Sequence, residues 1–315
     1  MVPRIFSGQA FGLHFRCNQE VPELSPGGGD SGPESVVDIN WEAAARQRSP
    51  DCPDEASFHC SEDSFFLQLP SIASYRVTKN SISIAPAANA QASSIRAFLL
   101  GSAMGALLQM RGLMVLHGSA VAMPDGQAAV FCGHSTAGKS TLAAALSSRG
   151  HPALADDITA IRFDASGNAW CLPGLSRTKL WRDALETLGL ADKANATTRV
   201  LPEIDKHSLH LDTSDRPARL YRFYELQVQD ASSLSFHTVT GLDKLSLLLT
   251  HSYRPAYLAV LGRQPTLLRQ AASLAPRLLA SRIVRPREEK TLGSIVAWLE
   301  EQWTSSLHGA LLQSD

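Results

Sequence analysis

The sequence predicts an α/β fold, and three observations point to it. A glycine-rich loop at residues 133–140 follows an apolar strand-like run, Gln127–Cys132, and precedes a helical pattern, Lys139–Arg149. Strand-like and helix-like segments alternate around this loop, which is the order of an α/β domain. Short apolar runs separated by Pro, Ser, Gly and Asn fill the first 90 residues, as in strands joined by turns.

This change in pattern divides the chain into two predicted regions. Residues 1–90 are predicted to form a small β-rich N-terminal region, and residues 91–315 an α/β catalytic domain. A length of 315 residues accommodates one large domain together with a smaller one. Within the first region, the stretch 24–35 is predicted to be a disordered loop, because its three consecutive glycines are costly to order.

Apolar spacing predicts the elements of the larger region. The predicted helices are Ser93–Arg111, Lys139–Arg149, Lys179–Gly189, Leu242–Leu249, Leu267–Leu279 and Leu292–Gln302. The predicted strands are Leu113–Met123, Gln127–Cys132, Ala153–Ala155, Ile158–Phe163, Ala169–Leu172 and Leu220–Gln229. Gly101 and Gly105 are expected to mark close packing of the first helix, and Trp181 is expected to belong to the core.

Composition excludes several classes of protein. The formal net charge is −1, so no broad electropositive field is available for binding nucleic acid. Five cysteines, an odd number without a CxxC pair, argue against a disulfide framework and a zinc site. The most apolar stretch, Ala97–Met110, is too short for the roughly 20 residues of a membrane-spanning helix. No secretory signal is recognised, so we expect a cytoplasmic protein that does not bind membranes.

The glycine-rich loop fits the phosphate-binding pattern GxxxxGK[ST] in full, in the strand–loop–helix context that the pattern requires. Its backbone N–H groups are expected to surround the phosphates of ATP. Lys139 is expected to contact the outer phosphates, and the Ser140 hydroxyl to bind Mg²⁺. The predicted nucleotide-binding residues are Gly133, His134, Ser135, Thr136, Ala137, Gly138, Lys139, Ser140 and Thr141. The alternative is a chance match in a turn.

Two adjacent acids, Asp156 and Asp157, stand at the end of the next predicted strand. Neighbouring carboxylates resist ionising together, so we expect the pKa of one to rise, which suits a general base. The other carboxylate is expected to face Mg²⁺ or Lys139. A solvated turn or helix cap is the alternative. His117 lies in the apolar strand before the loop, where a core histidine and a residue near the phosphates are equally compatible with the sequence.

The order His117-Gly118, the loop 133–140, Arg149-Gly150-His151 and Asp156-Asp157 resembles the catalytic domain of HPr kinase/phosphorylase. The resemblance implies an ATP- and Mg²⁺-dependent kinase that acts on a serine. It implies that Asp156 is the general base, that Ser140 and Asp157 bind Mg²⁺, and that His117 assists. HPr kinases form hexamers, so a homo-oligomer is left open.

The chain departs from true HPr kinases after the acid pair. A Glu-Ile-Arg-Gly stretch is missing, and the segment Pro173–Trp181 stands in its place. The N-terminal region also differs from that of HPr kinases. Arg111-Gly112-Leu113 and the segment 173–181 are similar to smaller HPr-kinase-related proteins, which include lasso-peptide kinases. That similarity implies a precursor peptide as acceptor, phosphorylated at its C-terminal serine.

Basic residues after the acid pair are further candidates. Arg282, Arg285 and Arg287 form a dense cluster that could bind an acidic peptide or stabilise transition-state charge, or simply be solvated. The same two interpretations apply to Arg177, Lys179 and Lys206, which could reach ATP or a phosphate.

The predicted function is ATP-dependent transfer of phosphate to a serine of a peptide or protein. Two alternatives stay open: a kinase of the same fold that acts on a small-molecule hydroxyl, and a nucleotide-binding switch without catalysis. A switch needs only the loop, whereas a catalyst needs the acid pair near an acceptor hydroxyl. A peptide kinase should have an open groove over the terminal phosphate, and a small-molecule kinase a closed pocket.

Overall fold

The computed structural model describes residues 4–26, 33–42, 55–193, 199–201, 204–210, 213–230, 232–287 and 291–311. Half of the predicted loop 24–35, residues 27–32, lies outside these ranges. On one side of the gap, the backbone of Ser25 pairs with that of Gln9. On the other side, Pro33–Ser35 form a single 3₁₀ turn.

Strands and helices are numbered here in chain order. The strands are β1 (Phe6–Ala10), β2 (Leu13–Cys17), β3 (Val36–Trp41), β4 (Ser57–Ser61), β5 (Ser64–Leu69), β6 (Ala73–Val77), β7 (Ser81–Pro86), β8 (Met114–Ala122), β9 (Ala128–Gly133), β10 (Ala153–Ala155), β11 (Ile158–Phe163), β12 (Ala169–Cys171), β13 (Arg177–Trp181), β14 (Arg199–Leu201), β15 (Ile204–His210), β16 (Ala218–Gln229), β17 (Ser235–Val239) and β18 (Leu279–Pro286). The helices are α1 (Ala92–Phe98), α2 (Met104–Met110), α3 (Lys139–Ser147), α4 (Arg182–Thr187), α5 (Leu242–Thr250), α6 (Pro255–Val260), α7 (Gln264–Leu274) and α8 (Leu292–Leu311). A mixed α/β fold is therefore confirmed.

The first sheet is built only from strands of the N-terminal region, in the order β1-β2-β3-β7-β6-β5-β4. Side chains on its strands alternate between buried and accessible positions, so one face packs on the core. Strands β6 and β7 pair in the antiparallel direction, with a turn between them. The boundary near residue 90 stays a prediction.

The second sheet carries the glycine-rich loop. Strand β9 runs parallel to β16, and β16 runs parallel to β18, while β8 pairs with β9 in the antiparallel direction. Every residue of β9 is buried, as expected for a central strand covered on both faces. Two hydrophobic clusters lie on this sheet, one including α5 and α7 and the other α3 and α8. The loop therefore begins at the end of a rigid central strand.

A third sheet, β13-β15-β14, was not predicted. Residues 179–181 were assigned to a helix Lys179–Gly189, but they belong to strand β13, and the helix begins at Arg182. Along β13 the buried residues Thr178 and Leu180 alternate with more accessible ones, which is a strand pattern. Trp181 was expected in the core and is instead 41% exposed at the end of this strand.

The predicted helix Leu267–Leu279 is also too long. Helix α7 ends at Leu274, a 3₁₀ turn covers Ala275–Arg277, and Leu279 begins strand β18. Pro276 lies at the break. Proline offers no backbone N–H and restricts the residue before it, so the α-helix does not continue through this position. Arg282 and Arg285 therefore belong to strand β18, and Arg287 is the residue that follows it.

The predicted helix Ser93–Arg111 is present as α1 and α2 joined by a π-helical segment, Leu99–Ala103. Gly105 of α2 lies directly against the ring of Tyr253, so a Cβ atom there would overlap the ring. A Cβ at Gly101 would lie 3.6 Å from the Tyr253 hydroxyl, an ordinary contact. The close packing predicted for these glycines is therefore confirmed at Gly105. Within the described ranges, none of the helices has the length and apolar character needed to cross a membrane.

We expect Gly105→Ala to lower the free energy of unfolding by about 1–3 kcal/mol, because the added methyl group would overlap the Tyr253 ring. Urea unfolding followed by circular dichroism measures the change. Gly101→Ala is the matched control in the same helical run, and its effect should stay below about 1 kcal/mol. Equal effects of the two substitutions would contradict the packing described at Gly105.

Candidate active site

The glycine-rich loop curls tightly between β9 and α3. Gly133, Thr136 and Gly138 all have positive φ angles, of 149°, 66° and 99°. A Cβ atom at position 133 would overlap the carbonyl oxygen of Leu226 on the neighbouring strand β16, so only glycine fits there. This loop leads directly into the first turn of α3, where backbone N–H groups are available to anions.

Lys139 begins α3 and is buried. Its Nζ donates hydrogen bonds to the carbonyl oxygens of Gly133 and His134, at 2.9 and 3.0 Å. Burial is the largest influence on the Lys139 ammonium, and its pKa lies below the ordinary value for lysine. The side chain therefore spans the loop and carries a cation to the place where phosphates would bind.

The carboxylate of Asp156 joins the loop to two other parts of the fold. Its Oδ1 accepts hydrogen bonds from the hydroxyls of Ser119 and Ser140, at 2.6 and 2.8 Å. Its Oδ2 accepts hydrogen bonds from the Thr178 hydroxyl at 2.7 Å and the Lys179 backbone N–H at 3.1 Å. A carboxylate has about four acceptor positions, so all of them are used.

Asp157 points in a different direction. Its φ angle of 69° is left-handed and turns the chain between the two acids. Its Oδ2 forms an ion pair with Lys179 Nζ at 3.1 Å, and its Oδ1 lies 3.4 Å from His117 Nδ1. The side chain keeps 33% of its surface accessible.

The electrostatic surroundings of Asp157 differ from the expectation for an adjacent acid pair. Burial raises the pKa of Asp157, but Lys179 and His117 together more than offset it, so the pKa lies below the ordinary value for aspartate. Asp157 is therefore not the acid of the pair whose pKa is raised. Ion pairing with a lysine, which the sequence pattern does not reveal, outweighs repulsion from the neighbouring acid.

His117 lies on β8 at the edge of the site, with 39% of its side chain exposed. Its Nδ1–H donates to the backbone oxygen of Asp157 at 3.2 Å, which leaves Nε2 as an acceptor. Burial and the Lys139 ammonium lower the pKa of His117, so the imidazole is neutral at pH 7. The sequence left open whether this histidine belongs to the core or to the site, and the contact with Asp157 associates it with the site.

The backbone of His117 is hydrogen-bonded to a residue of a buried ionic network. The backbone N–H of His117 donates to the carbonyl oxygen of His251 at 2.8 Å. His251 Nε2 donates to Glu225 at 3.1 Å, and Arg282 Nε donates to the same carboxylate at 2.6 Å. Burial raises the pKa of Glu225, but these donors more than offset that effect and lower the pKa to about 2. Arg282 is thus engaged in the fold rather than in the site.

A cavity of about 680 Å³ lies over the loop, within the size range of small-molecule sites. It is lined by loop residues 135–141, both acids and His117, and on the far side by β13 and β18. Trp181, Lys206 and Arg285 also line it. The sequence assigned Trp181 to the core, whereas its exposed ring lines this cavity.

Among the three clustered arginines, Arg285 is the one in contact with the loop. Its Nε donates to the Ala137 carbonyl oxygen at 3.3 Å, and no carboxylate pairs with it in the described part of the chain. Burial, and then repulsion from Arg287, lower the pKa of Arg285. Arg287 lies on the same cavity but pairs with the exposed Asp230 at 3.5 Å.

The residues present fit ATP and Mg²⁺. The glycine conformations, Lys139 and Arg285 supply donors and positive charge around the loop. In the described ranges, no cluster of three or more His, Cys, Asp or Glu could hold a metal by itself. Mg²⁺ is commonly held by few protein groups together with phosphate oxygens and waters, and the Ser140 hydroxyl, oriented by its hydrogen bond to Asp156, would contribute an oxygen on the protein side. The assignment of Ser140 and Asp157 as Mg²⁺ ligands stays a prediction.

Comparison with known proteins gives distant structural similarity alone. No family model matches the chain, and no curated protein matches it. The solved structure of the Hpr(Ser) kinase/phosphatase from Coxiella burnetii is similar to 64% of this chain and to 96% of its own chain, with 11% sequence identity and a TM-score of 0.33. A TM-score this low does not establish a shared fold, so function is inferred from this chain's own residues.

We expect Arg285→Ala to weaken ATP binding roughly ten- to hundredfold, because a charge-assisted hydrogen bond contributes about 1.5–3 kcal/mol. Isothermal titration calorimetry with MgATP measures the loss. Arg287→Ala should have a smaller effect, since this arginine is 68% exposed and already paired. Arg162→Ala, on an exposed part of β11 away from the cavity, is the neutral control. Unchanged affinity for Arg285→Ala would remove this arginine from the nucleotide site.

Proposed function

We propose that the chain is an ATP-dependent kinase that transfers the γ-phosphoryl group to a serine hydroxyl of a peptide. The observation that carries the proposal is the hydrogen bond between Ser140 and Asp156, at 2.8 Å. This bond joins the first acid to the phosphate loop and leaves the second acid beside it, facing His117 and Lys179. Such an arrangement provides separate groups for the phosphates and for the acceptor.

The nucleotide side of the site is assigned to the loop. The backbone N–H groups of residues 133–141, together with Lys139 and Arg285, bind the phosphates and hold them against the end of β9. The Ser140 hydroxyl would contribute an oxygen to Mg²⁺, which when bound neutralises phosphate charge, and Asp156 would orient that hydroxyl rather than bind the metal itself. Asp156 accepts a hydrogen bond from the Ser140 hydroxyl, so the lone pairs of the hydroxyl oxygen face away from the carboxylate.

The acceptor side is assigned to Asp157 rather than to Asp156. The Asp156 carboxylate is saturated by four hydrogen bonds, so it could accept an acceptor proton only by losing one of them. Asp157 is partly exposed and stays ionised at neutral pH because its pKa is low. A carboxylate of this kind orients the serine hydroxyl and receives its proton as transfer proceeds. His117 and Lys179 hold Asp157 in place.

The spaces around Asp157 favour a peptide over a small molecule as acceptor. Asp157 lines an open groove of about 350 Å³ whose lining includes no residue of the loop. It also lines a more enclosed cavity of about 290 Å³, bordered by Glu23 and Arg96. The open groove admits a chain segment, which supports the peptide proposal, and the enclosed cavity is what a small-molecule acceptor would use. The C-terminal serine of a lasso-peptide precursor is the acceptor implied by the sequence resemblance, and we propose it as the first peptide to test.

A nucleotide-binding switch without catalysis would need none of the contacts on the acceptor side. Asp157 has a left-handed backbone, a lysine partner and a histidine partner. Strained backbone of this kind is concentrated at functional sites in proteins, because the surrounding structure must offset its cost. These contacts therefore favour a catalyst over a switch.

We expect Asp157→Asn to retain MgATP affinity within about threefold but to lower phosphoryl transfer roughly 10²–10⁴-fold, the usual contribution of a general base. Asp156→Asn should instead weaken binding of MgATP, because the amide cannot accept all four hydrogen bonds. Transfer from radiolabelled ATP to a serine peptide, with calorimetry of MgATP, separates the two effects.

Asp63→Asn is the matched control, since Asp63 is an exposed acid in the β4–β5 turn. If Asp157→Asn turns over at the wild-type rate, Asp157 is not the base. If the wild-type protein binds MgATP and transfers phosphate to no peptide, the switch becomes the better description. Transfer to a small hydroxyl compound, with none to peptides, would favour the enclosed cavity.

A further inference from the structure

The open groove beside Asp157 shares its wall with the nucleotide cavity. Four residues line both spaces: His117, Asp157, Lys179 and Lys206. The floor of the groove is the π-helical segment together with Phe98, and the far side is formed by Tyr253 and Arg254. A molecule in the groove would therefore contact Asp157 without contacting the phosphate loop, which does not line the groove.

Positive charge dominates the lining of this groove. Lys179, Lys206 and Arg254 face a single carboxylate, Asp157, and His117 is neutral at pH 7. Lys179 is already paired with Asp157 at 3.1 Å. Within the described ranges, neither Lys206 nor Arg254 has an ion-pair partner, so two cations are left without a carboxylate.

Arg254 is held in place by aromatic rings. Its guanidinium lies 5.6 Å from the ring centre of Tyr253 and 5.4 Å from that of Tyr257. Contacts of this geometry stabilise a cation without neutralising its charge. The backbone of Arg254 is left-handed, with φ 44°, which is uncommon for a long side chain. Packing on two rings and a strained backbone together fix where the guanidinium stands.

The segment that carries Arg254 is itself anchored to the core. The N–H of Tyr253 donates to the Val115 carbonyl oxygen at 2.8 Å, and the Gln109 side chain donates to the Tyr253 carbonyl oxygen at 2.6 Å. Gly105 leaves the space in which the Tyr253 ring lies. The guanidinium is therefore positioned by buried contacts on α2 and β8, although it is itself exposed.

We propose that Arg254 and Lys206 form an acceptor subsite for a carboxylate that lies next to the phosphorylated serine. The proposal rests on the kinase function proposed above, because it assigns the substrate of the same site. The groove is about 350 Å³ and holds both Asp157 and Arg254 in its lining, so the hydroxyl and the carboxylate belong to the same or adjacent residues. An arginine binds a carboxylate with two parallel hydrogen bonds, which a neutral amide cannot reproduce.

Two chemical sources supply such a carboxylate. One is an acidic side chain adjacent to the serine, and the other is the chain's own terminal carboxylate when serine is the last residue. Four peptides of one background sequence separate them: an internal Ser-Glu, an internal Ser-Gln, a C-terminal serine with a free acid, and the same serine as an amide. The quantity compared is the acid-to-amide ratio of kcat/KM within each pair.

For the wild-type protein we expect a ratio of at least tenfold in one of the two pairs, and that pair identifies the source. Arg254→Asn, which tolerates a left-handed backbone, should bring the ratio close to one, mainly through KM. Arg254→Lys keeps a charge and should retain part of the preference. Arg269→Asn, at an exposed arginine on α7, should leave the ratio unchanged. Ratios near one for the wild-type protein, or an unchanged ratio for Arg254→Asn, would overturn the subsite.

Binding measurements keep the two proposals separate. Fluorescence anisotropy of dye-labelled versions of the four peptides reports affinity without turnover. If no peptide is phosphorylated but the acidic members bind more tightly, and Arg254→Asn abolishes the difference, the carboxylate subsite stands and the kinase proposal fails. If acidic and amide peptides bind equally well, the subsite fails whether or not transfer occurs.

Discussion

Four hydrogen bonds converge on the carboxylate of Asp156, and the geometry of the site depends on them. They join β8 through Ser119, the start of α3 through Ser140, and β13 through Thr178 and Lys179. Hydrogen bonds to a charged group contribute about 1.5–3 kcal/mol each, so these bonds stabilise the packing of three elements that are distant in the sequence. Because β13 is fixed in this way, Lys179 reaches Asp157, and the acids acquire different environments.

The parts of the site that sequence could predict are local in the chain. The loop 133–140 follows a strand and precedes a helix, and each glycine stands where its backbone angle is needed. The acid pair at 156 and 157 was correctly expected at the end of the following strand, β10. These features depend on neighbours within a few residues, so composition and spacing are sufficient to locate them.

The remaining parts depend on contacts between distant residues. Strand β13 exists because it pairs with β15, and a short segment with three polar residues among five carries no clear strand signal. Nothing in the spacing of the arginines distinguishes Arg285, beside the loop, from Arg282, paired with the buried Glu225. The directions of the two acids are likewise set by a left-handed turn at Asp157 and by partners far away in the sequence.

Three non-glycine residues with left-handed backbone, Thr136, Asp157 and Arg254, lie in the loop, at the second acid and at the groove. Each such conformation costs on the order of 1–3 kcal/mol, a substantial fraction of the stability of a typical domain. Glycine at any of them would relieve that cost and remove a side chain that lines the cavity or the groove. Heat tolerance and the proposed transfer reaction are thus in opposition at these positions, so a search for thermostable variants would select against the candidate site itself.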